Sequence, residues 1–161
     1  MDAKVTWENG LRFVGVAESG FPIHMSSQSG PEAGAGPVEL TAMALAGCTA
    51  MDVISILQKK QENVSEFEVL VHAERATDYP KVITGADLEY VVTGVGIRQA
   101  SLVRAIQLSI KQYCPVHAML SKAFPITLRY SIYEGATGAD RRLVQRGQCP
   151  EPSSELGMPD P

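Results

Sequence analysis

Two cysteines are the residues of this sequence whose type and position could do chemistry. Cys48 lies in the middle of a long apolar segment, and Cys114 directly precedes Pro115. In a reducing compartment a thiol is a buried core residue, a metal ligand or a reactive group. We interpret Cys48 and Cys114 as a pair of redox-active thiols, since the thiolate is a strong nucleophile.

The surroundings of Cys48 allow two interpretations. A free cysteine in an apolar helix is often a small core residue, which would make Cys48 inert. Its neighbours are small, and they leave room near the sulfur either for tight helix packing or for a substrate; they are Ala44, Ala46, Gly47 and Ala50. The sequence leaves both alternatives open.

Cys114 has a different setting, because it stands at a predicted helix break where a short helix begins. A thiol at a helix N-terminus gains from the dipole and from free N–H groups, and both favour the thiolate. His117 follows three residues later and could face the sulfur. The alternative is an inert cysteine in a turn.

A metal site is not predicted. Such a site needs three or four ligands at suitable spacing, and Cys114 with His117 and one distant cysteine falls short. His24 and His72 have no second ligand nearby in the sequence. We therefore expect neither a metal nor another cofactor. The third cysteine, Cys149, is expected to be an exposed, unconstrained thiol.

Composition limits the class of protein. The chain has 161 residues, a length typical of one domain, and 45% of them are hydrophobic. Its net charge of −4 gives no indication of a nucleic-acid surface or a cationic membrane anchor. The first residues lack the basic and apolar regions of a secretory signal, so we expect a cytoplasmic protein. Three cysteines do not make a disulfide framework.

The hydrophobic pattern predicts an α+β domain in the order βββ–α–ββ–αα–β. The first 25 residues form a meander of short strands with a tight turn at Asn9-Gly10. A loop follows over Ser26–Gly36, and Pro37 with Glu39 marks the start of a long helix. The remaining predicted elements are strands over 67–75 and 83–93, helices over 97–113 and 116–123, and a strand over 125–133.

The long helix is apolar nearly all round to Leu57, which is typical of a helix buried in the middle of a fold. A transmembrane span is the competing interpretation, but Asp52 and other polar residues interrupt the run. Residues 1–134 are predicted to form the single domain. Residues 135–161, with many prolines and few large apolar residues, are expected to be a mostly disordered tail.

Two segments resemble the osmotically inducible protein C family, which includes the organic hydroperoxide resistance proteins. The segment Gly36–Cys48 looks like the start of the family's central helix up to its first cysteine. The segment Tyr113–Leu120 contains Cys-Pro-Val, which looks like the second-cysteine motif. The residues after Cys48, Asp52–Lys59, are most similar to a less characterised branch. The resemblance covers about residues 1–134.

This resemblance implies an intertwined homodimer with a long central helix from each subunit. It also implies a thiol-dependent peroxidase of the stress response that reduces organic hydroperoxides. Cys48 would attack the peroxide and become a sulfenic acid, Cys114 would condense with it to a disulfide, and a dithiol reductant would restore both. Such trapping by a neighbouring thiol prevents further oxidation of the sulfur.

The resemblance also implies an arginine and a glutamate that activate the first cysteine. Arg12 is the candidate arginine, since no other precedes Arg75, and Glu39 is the candidate acid. The chain departs from the family here, because Val38 stands where the glutamate is usual. Asp52 lies one helical turn after Cys48 on the same face, where a carboxylate opposes ionisation of a thiol unless a cation offsets it.

Two other functions stay open at this point. A dimer with an apolar pocket around the central helix could be a binding protein for an apolar small molecule, with the cysteines lining the pocket. A purely structural role is the remaining alternative. No nucleic-acid or membrane partner is expected.

Overall fold

The computed structural model describes residues 1–27, 34–136 and 140–150, which divide into two units, Met1–Met43 and Ala44 onward. The element order is that of an α+β fold with a long central helix, as predicted, with one further strand. Part of the predicted loop, residues 28–33, lies outside the described residues, as do 137–139 and 151–161.

The first unit contains a three-stranded antiparallel sheet in the order β1-β2-β3. The strands are β1 (Ala3–Asn9), β2 (Arg12–Ala17) and β3 (Pro22–Ser26). The first hairpin turns at Gly10, whose φ is +52°, as the Asn-Gly signal predicts. The second turns at Gly20, whose N–H donates to Ala17 O over 2.9 Å.

Helix α1 (Pro37–Lys59) begins in the first unit and continues into the second. By length and composition alone it is apolar enough to cross a membrane. However, Leu45, Val53 and Leu57 are at most 1% exposed and belong to the apolar core of the second unit. It is therefore the core helix that the sequence predicts, with some apolar residues left at the surface.

The second unit contains a four-stranded sheet in the order β4-β5-β6-β7. The hairpin of β4 (Asn63–Arg75) and β5 (Ile83–Val95) is antiparallel, and β6 (Ile126–Glu134) pairs with β5 in parallel. Between β5 and β6 lie α2 (Gln99–Leu108), a π-helical turn (Ser109–Tyr113) and α3 (Pro115–Leu120). A parallel pair needs such a crossover connection.

The core of the second unit follows the alternation of β5. Leu88, Tyr90 and Val92 are fully buried, as the sequence pattern predicts for one face of a strand. They join side chains from both long helices and from β6 in one cluster, which includes Leu45, Val53, Leu57, Leu102, Ile106, Leu128 and Ile132. This cluster fixes the position of α1 against the segment that carries Cys114.

The segment after Glu134 differs from the expected tail. Arg142–Gln148 forms a strand, β7, which pairs antiparallel with β6. Cys149 follows it, is only 5% exposed, and donates its N–H to Leu128 O over 2.8 Å. The expectation of an exposed Cys149 is therefore wrong. Backbone hydrogen bonds to β6 hold this strand in place. Since it contains few large apolar residues, its sequence gives little indication of a strand.

We expect Gly94→Ala to lower the free energy of unfolding by about 1–3 kcal/mol, the usual cost of overpacking. A Cβ at Gly94 would overlap the Asn63 carbonyl oxygen and lie 2.8 Å from Ile97 Cδ1. Gly85→Ala in the same strand is the control, because its nearest contact would be Pro125 O at 3.9 Å. Equal urea midpoints for the two variants would contradict this.

Candidate functional site

Helix α1 presents Cys48 and Asp52 one turn apart on the same face. The buried residues Leu45, Thr49 and Val53 lie beside them on the helix and hold that face toward the interior of the second unit. Cys48 itself is partly exposed. Cys48 is therefore not completely enclosed by the core, and reagents have some access to it.

A widened turn places Cys114. At the end of α2 the backbone enters the π-helical turn, and the N–H of Cys114 donates to Ser109 O over 2.8 Å. Pro115, which has no N–H, then starts α3. Cys114 is the N-cap residue of α3, and its sulfur accepts a hydrogen bond from His117 N over 3.3 Å.

Ser109 connects this turn to α1. Its hydroxyl donates to Asp52 Oδ2 over 2.9 Å, and Ser109 is fully buried. Because its carbonyl also accepts from the Cys114 N–H, one residue ties the Asp52 carboxylate and the Cys114 backbone together. Asp52 therefore has a buried hydrogen-bond donor as a neighbour.

The structure brings Cys48, Asp52 and Cys114 together. Their sulfur atoms and one carboxylate oxygen all lie within 4.8 Å of one another. A disulfide bond between the two sulfurs would be about 2.05 Å long, so they must move closer together to form it. The geometry thus suits thiol–disulfide chemistry, and it places a carboxylate beside both thiols.

Burial outweighs hydrogen bonding at Cys114, where only 2% of the surface is exposed. Burial raises the pKa of Cys114 well above its usual range, and the neighbouring Cys48 raises it further. The N–H groups of His117 and Val116 oppose this effect but do not cancel it. The start of α3 does favour the Cys114 thiolate, as the sequence predicts, but desolvation is the larger effect and raises the pKa overall.

Tyr90 adds a buried hydroxyl near the cluster. Its Oη has no hydrogen-bond partner among the described residues, and Thr49, which lies close by, donates its own proton to Ala46 O. Burial raises the pKa of Tyr90 far above its ordinary value, and the charges of Cys114 and Asp52 add to this effect. Tyr90 is thus a neutral group beside the thiols.

The two predicted activating residues lie in the first unit. Arg12 begins β2, opposite Asn9 and Ser26 in the sheet. Glu39 accepts a hydrogen bond at Oε2 from Gly36 N over 2.7 Å, which satisfies a free donor at the start of α1. This contact gives Glu39 a role as a helix cap. An activating role for Arg12 and Glu39 stays a prediction.

A cavity of about 410 Å³ lies in the second unit next to Cys149, His117 and Ser121. Its other lining residues are Ile110, Pro125, Ile126, Thr127, Leu128 and Gln148. Burial raises the pKa of Cys149 to about 11 and lowers that of His117. His117 thus contacts Cys114 through its backbone, while its side chain lines this separate cavity.

Sequence reasoning missed Ser109 and Tyr90 as members of the site. Each is a polar residue on a face that is otherwise apolar, and this pattern could have indicated a functional residue. Ser109 shares the face of Leu102 and Ile106 on its helix, and Tyr90 lies between Leu88 and Val92 on one face of β5. A polar group there needs a partner or a function. The sequence indicates that Asp52 is a charge near Cys48, but it does not predict that Asp52 also lies close to Cys114.

Comparison with known proteins points to one family. Residues 30–129 match the family model of the OsmC-like proteins. Protein YhfA of Escherichia coli K12 is 42% identical over 132 residues, which cover 82% of this chain and 98% of YhfA. The relationship therefore extends over nearly the whole of this relative.

Solved structures share the fold. One from structural genomics is 40% identical, has a TM-score of 0.76 and covers 84% of this chain and 100% of its own. An organic hydroperoxide resistance protein OsmC from Legionella pneumophila is 13% identical, with a TM-score of 0.59 and coverage of 81% and 94%. At that identity the second comparison shows the fold alone.

The three thiols are expected to differ in their rate of alkylation. In the reduced native protein at pH 8, iodoacetamide should label Cys48 first, because Cys114 and Cys149 are buried. Labelling of Cys149 should rise about tenfold per pH unit up to about pH 11, since burial raises its pKa to about 11. Peptide mass spectrometry gives the order.

The same reaction in urea is the control, and there all three cysteines should react alike. Faster labelling of Cys114 than of Cys48 in the native protein would contradict the assignment of Cys48 as the accessible thiol.

Proposed function

Because the chain belongs to the OsmC-like protein family, we propose that it is a cytoplasmic, thiol-dependent peroxidase that reduces organic hydroperoxides. The observation that carries the proposal is the approach of the Cys48 and Cys114 sulfurs to within 4.8 Å. Two thiols at this separation can complete a disulfide, and the cytoplasm supplies the dithiol reductants that reopen it.

The different exposure of the two cysteines supports different roles for them. Cys48 is partly exposed, so a peroxide can reach it, whereas Cys114 is buried and holds its proton. The Cys48 thiolate attacks the terminal peroxide oxygen, the O–O bond breaks, and the OH group passes to the sulfur. The alkoxide takes up from solvent the proton that Cys48 released on ionising and leaves as the alcohol. Cys48 is then a sulfenic acid.

Cys114 completes the cycle. Its sulfur attacks the sulfur of the Cys48 sulfenic acid, the S–O bond breaks, and the oxygen leaves as water with the thiol proton. Two electrons have then passed from the thiols to the peroxide. A dithiol reductant returns them by exchange through a mixed disulfide.

The proposal includes a homodimer in which the α1 helices of two chains meet. Met43 and Met51 on α1 are 52% and 73% exposed. The strands of the first unit also expose large apolar side chains, namely Val5, Trp7, Phe21 and Ile23. Apolar surface of this extent is typical of an interface.

The alternative function, binding of an apolar small molecule, draws on the cavity beside Ile126 and Leu128. Its volume of about 410 Å³ is within the range of ligand pockets. Affinity for a hydrophobic ligand that is unchanged in Cys48→Ser would favour this function over the peroxidase.

We expect one equivalent of an organic hydroperoxide to convert the reduced protein to a Cys48–Cys114 disulfide. The intact mass should fall by two hydrogens, and the linked peptides should be found by mass spectrometry. In Cys114→Ser, Cys48 should remain a sulfenic acid that dimedone traps. Cys149→Ser is the matched control and should form the same disulfide. If both thiols still react with iodoacetamide after peroxide, the proposal fails.

The same assay tests the activating residues. Glu39→Gln keeps an oxygen that accepts from Gly36 N, so stability should be unchanged while the charge is lost. If Glu39 and Arg12 activate Cys48, Glu39→Gln and Arg12→Gln should each slow disulfide formation by about tenfold, or about 1.4 kcal/mol. Arg75→Gln is the control. Unchanged rates in both variants would remove these residues from the mechanism.

We expect Met51→Glu to convert the dimer to monomers, because a buried, unpaired carboxylate at an apolar interface costs several kcal/mol. Light scattering after size exclusion measures the mass of the particle. Met119→Glu is the matched control, since Met119 is 63% exposed on the short helix α3. A wild-type monomer, or a Met51→Glu dimer, would contradict the proposed interface.

A further inference from the structure

The cluster of Cys48, Asp52 and Cys114 has the ligand types of a metal site. One carboxylate oxygen and two sulfurs all lie within 4.8 Å of one another. Around a tetrahedral Zn²⁺, with Zn–S about 2.3 Å and Zn–O about 2.0 Å, such atoms lie about 3.5–3.8 Å apart. The distances between these atoms therefore need to shorten by at most about 1.3 Å to hold the ion.

Residues around the cluster donate hydrogen bonds to two of the three possible ligands, as residues near metal ligands usually do. Ser109 donates to Asp52 Oδ2, which leaves the other carboxylate oxygen available and fixes the orientation of the group. His117 N donates to the Cys114 sulfur, a hydrogen bond common at metal-bound thiolates. The buried Tyr90 hydroxyl also lies near the cluster.

The donor types of the cluster indicate which class of ion it would take. Two thiolates select a thiophilic ion such as Zn²⁺ over Mg²⁺ or Ca²⁺, which prefer oxygen. Three protein ligands leave the fourth position of the ion for water or a small ligand.

We propose that the reduced chain binds one Zn²⁺ through Cys48, Asp52 and Cys114. The site stands on the geometry of these residues and does not depend on the peroxidase activity. Its relation to peroxide does rest on the proposed function: the disulfide uses both sulfurs, so metal and disulfide exclude each other. Oxidation therefore releases the ion, and the bound ion protects Cys48 from peroxide.

The test is a titration of the reduced, metal-free full chain with Co²⁺ under argon. We expect saturation at one ion per chain, a charge-transfer band with the intensity of two thiolates, and the visible bands of a tetrahedral ion. Zn²⁺ should displace the Co²⁺. The peroxide-oxidised protein should show none of these bands, and reduction should restore them.

Variants decide whether these three residues are the ligands. Asp52→Asn should weaken binding at least about tenfold and Ser109→Ala about tenfold, while Cys149→Ser should bind as the wild type does. Should Cys48→Ser fail to fold, alkylation of Cys48 in the native protein replaces it and should abolish the charge-transfer band. Wild-type affinity in Asp52→Asn overturns the proposal.

The titration separates this proposal from the peroxidase. A protein that forms the Cys48–Cys114 disulfide but shows no saturable Co²⁺ band, with its thiols confirmed as reduced, overturns the metal site and leaves the peroxidase intact. A protein that binds one Co²⁺ through two thiolates but resists peroxide supports the metal site and overturns the peroxidase.

Discussion

Ser109 is the residue on which the arrangement of the thiols depends. Its hydroxyl donates to Asp52 on α1, and its carbonyl accepts from the Cys114 N–H, so two segments far apart in sequence meet at one buried residue. The second contact exists because the backbone adopts a π-helical turn, in which an N–H bonds the carbonyl five residues earlier. In an ordinary α-helix the N–H of Cys114 would bond the carbonyl four residues earlier instead. Such turns are frequent at functional sites. The apolar core that Val53 and Leu57 anchor keeps both segments in register.

Two opposing effects at Cys114 determine how the thiols differ. Hydrogen bonds from the start of α3 favour the thiolate, but nearly complete burial favours the thiol, and burial is the larger effect. The partly exposed Cys48 has no such barrier to reagents. In the proposed peroxidase cycle, this difference in burial makes Cys48 the attacking sulfur and Cys114 the sulfur that closes the disulfide. Asp52, which accepts a hydrogen bond from Ser109, places a carboxylate beside both sulfurs.

Much of the fold could be predicted because local signals were strong. Asn9-Gly10, Pro37 with Glu39, and the alternation around Tyr90 each specify one element, and the structure agrees with them. The pairing of Cys48 with Cys114 came from two short motifs on such elements. The Ser109–Asp52 contact could not be found in this way, since it joins residues without a periodic relation. Nor could the burial of Cys114, since desolvation depends on side chains that the fold brings from elsewhere. Strand β7 escaped prediction because it is polar and is held by backbone pairing.

Strand β7 has a consequence for association between chains. It occupies the hydrogen-bonding edge of β6, so one of the two edges of this sheet is β7, a strand that carries Arg142 and Arg146. Without it, the edge would be β6, a strand with buried Tyr130, Ser131 and Ile132 and a full row of unpaired backbone groups. Edges of that kind template strand addition and aggregation, and basic side chains discourage it. Strand β7 thus protects β6 from the addition of a strand of another chain. The residues at its end, Gln148 and Cys149, also line the cavity.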